Sequence, residues 1–478
     1  MSLPEILNKL FAHIDGNHNK YIETLAEAVS IKSISAHPKH RDECQRMIDW
    51  TQYKLETLGI VCEQVNIGMQ SLPDNSTLKL PNVLLGVTKN FDPKKKTVVV
   101  YGHLDVQPAE YSDGWETEPF KLTLRDGKLY GRGASDDKGP IIAWMNAIEA
   151  YHNIGTELPI NLKFVLEAME ESGSLGLNKM LISRKDWFDD VDYICITDTA
   201  WLGNEQPCIS HGLRGLSYFR IEVECASKDL HSGVFGGVIH EALTDLIHLM
   251  SQLVDCNGKI LIPGIYDDVE PITPNENEIY EKITFDVDAF HKSLGTPGKL
   301  LYDTKIALLQ HRWRFPCLSL HGIEGAFHES GQKTVIPKKV IGKFSIRTVP
   351  NQSTEKIEKL VVDYINQKFK EWGSPNKMKC FMSHGAKPFN ENPFHENYLA
   401  ATKAIKHVYN LEPDIIRGGS TVPVTLYFQE VSGRNVLLLP LGCSDDGAHS
   451  QNEKINLRNF FDGSKVLASY IYEVSQIE

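Results

Sequence analysis

TVVVYGHLDVQ, residues 97–107, opens as an apolar, β-branched run and ends on a histidine and an aspartate two positions apart. Such a run predicts a strand over Thr97 to Tyr101 buried on both faces, the kind that parallel sheets contain. Two more runs have the same character, Asn161 to Leu166 and Tyr193 to Ile196. Helical spacing separates them: Ile141, Met145 and Ile148 form a stripe on a helix from about Pro140 to Tyr151, and Leu177 to Leu181 reads as a second, shorter helix. Strands alternating with helices predict an α/β fold, a mainly parallel sheet with helices on both faces.

Working outward, amphipathic helices are expected around Pro4 to Val29 and Asp42 to Gly59. A chain of 478 residues exceeds what one hydrophobic core usually supports, so two domains are expected. The formal net charge of -12 argues against a general nucleic-acid binder, which needs a basic face for phosphates. Charged residues interrupt the apolar positions of the first 25 residues, unlike a signal peptide, and no apolar run is long enough to span a membrane. Nine scattered cysteines form no CxxC pair, which suits reduced thiols and a cytoplasmic location.

The chemistry lies where the strands end. VVVYGHLD delivers His103 and Asp105, FVLEAMEE delivers Glu170 and Glu171, and YICITD delivers Asp198. C-terminal strand ends form the binding edge of open α/β sheets. Side chains two apart in extended backbone share a face, so Asp105 is expected to back the His103 ring, as carboxylates do behind metal-bound imidazoles. GRGASDDKGP, residues 131–140, sets Asp136 beside Asp137 before a helix; adjacent carboxylates repel unless a cation or donors compensate, and a helix cap is the alternative. Glu170 and Glu171 point different ways, so one can ligate while the other handles a proton.

Taken together, HLDVQP, GRGASDDKGP, EAMEESGS, ITDTAWLG and CSDDGAHSQNE resemble the dinuclear metallopeptidase superfamily that contains aminoacylases and carnosinases, in particular its dipeptidases. The resemblance extends through DLHSGVFGG, GAFHESGQKTVIP and GKFSIRTVP. It implies two divalent ions per subunit, Mn2+ or Zn2+, with His103 and Asp198 on one, Glu171 and His449 on the other and Asp136 bridging. It further implies that Asp105 orients His103, that Glu170 is the general base, and that the Asp136–Asp137 peptide is cis. The expected activity is hydrolysis of dipeptides with a free C-terminal carboxylate, Cys-Gly among them. An N-acyl amino acid deacylase, a narrow carnosinase and a silent peptide-binding homologue are the alternatives.

His449 must reach the same ions from far down the chain, so an inserted domain is expected: residues 1–210 and 387–478 form the catalytic domain, and 211–386 an α+β lid and dimerisation domain. Strands are predicted from the segment around Gly215, at Cys317 to Gly322 and at Lys339 to Arg347, with helices over Val238 to Leu253 and Thr354 to Trp372. The proline- and acid-rich stretch 263–297 reads as an irregular excursion. By resemblance the chain is a homodimer in which His231 and Thr334 reach the partner's site, His231 stabilising the oxyanion, while Arg347 and His384 hold the substrate carboxylate. In RGGSTVPV both Ser420 and Thr421 are candidates for a substrate-contacting hydroxyl.

Overall fold

The structure, a computed structural model, describes residues 3–72 and 74–478. The chain divides into two units: Met1–His211, Glu391–Ile416 and Val424–Glu478 form the first, and Gly212–Asn390 with Arg417–Pro423 the second. The stretch 387–478, expected to be catalytic throughout, is thus interrupted, because Arg417–Pro423 groups with the second unit.

In the first unit, strands Ile60–Val65, Val83–Thr88, Asn161–Glu167, Thr97–His103, Tyr193–Ile196, Asn435–Leu438 and Cys208–Leu213 follow one another across the sheet. The central pairings are parallel and the marginal ones antiparallel. Alternation places Val98 and Val100 in one core with Trp144 and Ile148 of helix Lys138–Asn153, while Tyr101 meets the Phe428 ring edge-on from helix Val424–Ser432. Helices therefore cover both faces. The N-terminal helix expected as one is two, Glu5–Gly16 and His18–Ser30, parted at Asn17.

Register aligns the strand ends. His103 pairs with Glu167, and Tyr101 with Ile196, on parallel neighbours. Asp198, two residues past Ile196, is therefore level with His103, and Glu170 and Glu171 follow just beyond Glu167. Gly102 lets the helix come close: a Cβ there would stand 2.1 Å from Ile141 Cδ1 and 2.6 Å from Asp137 Oδ2.

The second unit is an antiparallel sheet in the order Cys317–Glu324, Lys339–Thr348, Gly215–Glu224, Lys377–Ala386. The Gly215–Glu224 strand alternates buried and half-buried residues, and Phe219, Ile221 and Val223 share a core with helices Ala242–Ser251 and Thr354–Trp372. Ser353 caps the latter helix by accepting from Lys356 N–H, and Gly373 ends it at a φ of 73°. The stretch 263–297 is not irregular throughout. It holds helices Pro274–Lys282 and Val287–Leu294, capped by the Thr273 and Asp286 side chains. The expected Val238 to Leu253 helix is shorter, Ala242–Ser251.

Candidate metal centre

His103, Asp136, Glu171, Asp198 and His449 converge in the first unit. Asp136 lies between two imidazoles: its Oδ1 is 2.9 Å from His103 Nε2, and its Oδ2 is 3.1 Å from His449 Nε2. His103 Nε2 is also 3.7 Å from Asp198 Oδ2, and His449 Nε2 is 3.0 Å from Glu171 Oε2. One carboxylate thus has an oxygen toward each of two histidine–carboxylate pairs. Ligand atoms of His103, Asp136 and Glu171 all fall within 4.8 Å of one another. This donor set, imidazole nitrogens and carboxylate oxygens without thiolate, fits divalent metal ions. The Asp136–Asp137 peptide is cis.

Asp105 acts by a different contact from the one its spacing suggested. Strand Thr97–His103 stops two residues short of Asp105. His103 Nδ1 meets the Asp105 backbone carbonyl at 3.0 Å and its carboxylate only at 3.6 Å. The buried carboxylate instead accepts from the backbone N–H groups of Glu170 and Glu171, each at 3.1 Å, and so fixes the turn that presents both glutamates.

Electrostatics follow from crowding of carboxylates. Burial would lower the His103 pKa, but Asp198, Asp105 and Asp136 outweigh it and hold the imidazole well above its ordinary range. Asp136 and Glu171 raise His449 to about 10. Burial pushes the Glu170 carboxyl well above the usual carboxylate range, with the charges of Asp198, Asp105 and Glu171 reinforcing it against His103. A carboxyl made more basic in this way is suited to taking up a proton.

Three supporting residues were not singled out from sequence. Buried Glu453 accepts from the N–H groups of Gly133, Ser135 and Asp136 at 3.0, 3.0 and 3.1 Å and pairs with Arg132 at 2.7 Å, holding the loop that presents Asp136. Gln107 Nε2 donates to Glu171 Oε2 at 2.8 Å. Asp446 accepts from the Ser135 hydroxyl at 2.7 Å. Glu453 and Gln107 stand inside the quoted motifs CSDDGAHSQNE and HLDVQP, so their placement was available as a signal.

The remaining candidates belong to the second unit. His231 and Thr334 come together: the Leu230–His231 strand pairs with Val335–Ile336, Ser232 N–H donates to the Thr334 carbonyl at 3.1 Å, and both candidate side chains are exposed. Arg347 Nη1 donates to Thr421 Oγ1 at 2.6 Å, whereas neighbouring Ser420 is exposed. His384 is exposed on the Lys377–Ala386 strand, opposite Tyr218.

The sequence profile of Peptidase family M20/M25/M40 matches residues 99–473. The Beta-Ala-His dipeptidase of Homo sapiens is 47% identical over 477 residues, 99% of this chain and 94% of that protein. The Cys-Gly metallodipeptidase DUG1 of Candida albicans is 47% identical over 471 residues, 98% of this chain and 97% of that protein. Human carnosine dipeptidase 1 superposes with a TM-score of 0.92 at 46% identity, covering 100% of both chains. For the di-peptidase Dug1p of Saccharomyces cerevisiae the TM-score is 0.91 at 43% identity, over 98% of this chain and 99% of that one. A profile match across most of the sequence, joined to relatives this similar over nearly their whole length, makes this chain a member of Peptidase family M20/M25/M40.

Proposed function

We propose that this protein is a metal-dependent dipeptidase acting on short peptides with a free C-terminal carboxylate, Cys-Gly among them. The observation that carries the reading is the Asp136 carboxylate set between His103 and His449, and relatives named for Beta-Ala-His and Cys-Gly dipeptides support it. His103 and Asp198 would hold one divalent ion, Glu171 and His449 a second, and Asp136 both, the ions being Mn2+ or Zn2+. Such ions would polarise the scissile carbonyl and make a shared water more acidic. Glu170 takes the proton from the attacking water and returns it to the leaving amine, the role its raised pKa suits. Asp105 keeps Glu170 and Glu171 in place through their N–H groups.

Arg347, with Thr421 and His384, holds the substrate's terminal carboxylate, a charge-assisted contact suited to a chain end. His231 and Thr334 serve the site of a partner subunit in a homodimer; exposed Val234, Phe235 and Val238 beside His231 support an interface there. Residues 1–210 and 387–478 apart from Arg417–Pro423 act as the catalytic part, and 211–386 as the lid. Nine unpaired cysteines support residence in the cytoplasm; among the described residues, no helix is long and apolar enough to cross a membrane.

The test is hydrolysis of Cys-Gly, Ala-Leu, carnosine and N-acetyl amino acids by chelator-treated protein, before and after adding manganese or zinc, with Glu170→Ala alongside. The reading expects metal to restore dipeptide cleavage in the wild type and not in the variant. Preference for N-acetyl amino acids would replace it with a deacylase, and activity on carnosine alone with a narrow carnosinase.

A further inference from the structure

Arg214 joins strands Cys208–Leu213 and Gly215–Glu224, and its polar atoms reach three places in the second unit. Its backbone carbonyl accepts from Thr421 Oγ1 at 2.7 Å. Its Nε donates to the Gly419 carbonyl at 3.2 Å, and its Nη1 to Cys317 Sγ at 3.0 Å. A hydroxyl has a single proton; once Thr421 gives that proton to the Arg214 carbonyl, its lone pairs are left to accept from Arg347 Nη1, at 2.6 Å. Cys317 is the cross-strand partner of Arg347. Arg214 therefore grips both neighbours that set the Arg347 guanidinium, the 419–421 turn and the Cys317 strand.

Charge points the same way. Among the described residues, no carboxylate pairs with Arg214, Arg312 or Arg347, and one Arg312 nitrogen is buried without a hydrogen-bond partner. Burial, and after it the positive charge of Arg214, lowers the pKa of both Arg312 and Arg347. Guanidiniums gathered without a counter-ion raise the free energy of the empty cluster, and an arriving carboxylate relieves that repulsion.

We infer that the Arg214 side chain is a positioning element for carboxylate recognition: through the Gly419 carbonyl it holds the 419–421 turn whose Thr421 accepts from Arg347, through Cys317 it holds the neighbouring strand, and so it sets how strongly the enzyme prefers a free C-terminal acid to its amide. This rests on the reading of Arg347 as the residue that binds the terminal carboxylate. Arg214 itself need not touch the peptide.

Steady-state kinetics of the metal-loaded enzyme on Ala-Leu and on Ala-Leu amide test the inference in Arg214→Met, Cys317→Val and Cys317→Ser. The wild type should favour the acid strongly. Arg214→Met should raise KM for Ala-Leu by about tenfold or more, the usual effect of losing a hydrogen bond to a charged group, with a much smaller change in kcat and an equal fall in the acid-to-amide ratio. Cys317→Val, which removes the sulfur acceptor, should do the same to a lesser degree, while Cys317→Ser keeps an acceptor and the wild-type ratio. Should Arg214→Met fail to fold, the two Cys317 variants carry the comparison. Variants that lose activity on both substrates equally, or keep the wild-type KM and ratio, overturn the role of Arg214. A wild type that cleaves acid and amide alike overturns the reading of Arg347 and this inference with it.

Discussion

Glu453 accepts the backbone N–H of Asp136 at 3.1 Å, across 317 positions of sequence. The same buried carboxylate holds Gly133 and Ser135 and neutralises Arg132, so one side chain fixes the loop that carries the bridging aspartate. Glu453→Gln replaces an acceptor by a donor facing N–H groups and leaves Arg132 buried without its charge partner. Breaking a buried pair in this way costs about 3–5 kcal/mol, and losing outer support of a metal ligand costs about 10–100-fold in metal affinity. Denaturant unfolding and metal titration read the two effects; unchanged values in both would show that the loop holds itself.

Gln107 donates to Glu171 on the oxygen that also faces His449. Gln107→Leu keeps the bulk and removes the donor, which frees the Glu171 carboxylate to rotate. Metal affinity should fall by about tenfold or more, while unfolding in the presence of chelator should change by no more than about 1.5–3 kcal/mol, the worth of one hydrogen bond to a charged group. Equal metal affinity in variant and wild type would deny Gln107 an orienting role.

The parallel sheet and the five residues at or just past its strand ends, His103, Asp105, Glu170, Glu171 and Asp198, could be read from the chain because each strand is a short apolar run that ends abruptly in ligand-type residues. His103, Glu171 and Asp198 need only parallel pairing to meet. What could not be read were contacts set by packing. The Asp105 side chain accepts from both N–H groups of the 170–171 turn, a contact that no periodicity marks. Arg417–Pro423 groups with the second unit through bonds such as Thr421 to Arg214, between residues 207 positions apart. The helices at 274 and 287 carry ordinary N-terminal cap signals, Thr273-Pro274 and Asp286, but the proline and acid content around them masks the helical pattern.

Gly102 tests how closely strand and helix must approach. An alanine methyl would meet Ile141 Cδ1 at 2.1 Å and the Asp137 carboxylate at 2.6 Å, and the same Asp137 oxygen accepts from His103 N–H at 3.2 Å. The Ile141 and Asp137 side chains would have to give way, and with Asp137 its bond to the His103 N–H. Gly102→Ala should therefore destabilise by about 1–3 kcal/mol, typical of overpacking, and weaken metal binding as well. A variant with wild-type stability and metal affinity would show that these side chains yield without moving the site.

Glu167 gives a pH dependence whose sign is fixed by its surroundings. Its side chain is buried, accepts from the Tyr101 hydroxyl at 2.8 Å, and has a pKa raised to about 7, by burial first and then by the negative charge of Asp105. Between the ordinary carboxyl value of 4.5 and about 7, the folded protein holds a proton there that the unfolded chain has released. Stability from this group is thus full below about pH 4.5 and lost as pH rises through about 7, a change on the order of 3 kcal/mol. Glu167→Gln keeps an acceptor for Tyr101 but cannot ionise. In chelator-treated protein, the stability of the variant relative to wild type should therefore climb across that window and level off above it. If the difference stayed flat from pH 4.5 to 8, Glu167 would be titrating as an ordinary carboxylate and the strand end would be more polar than its burial implies.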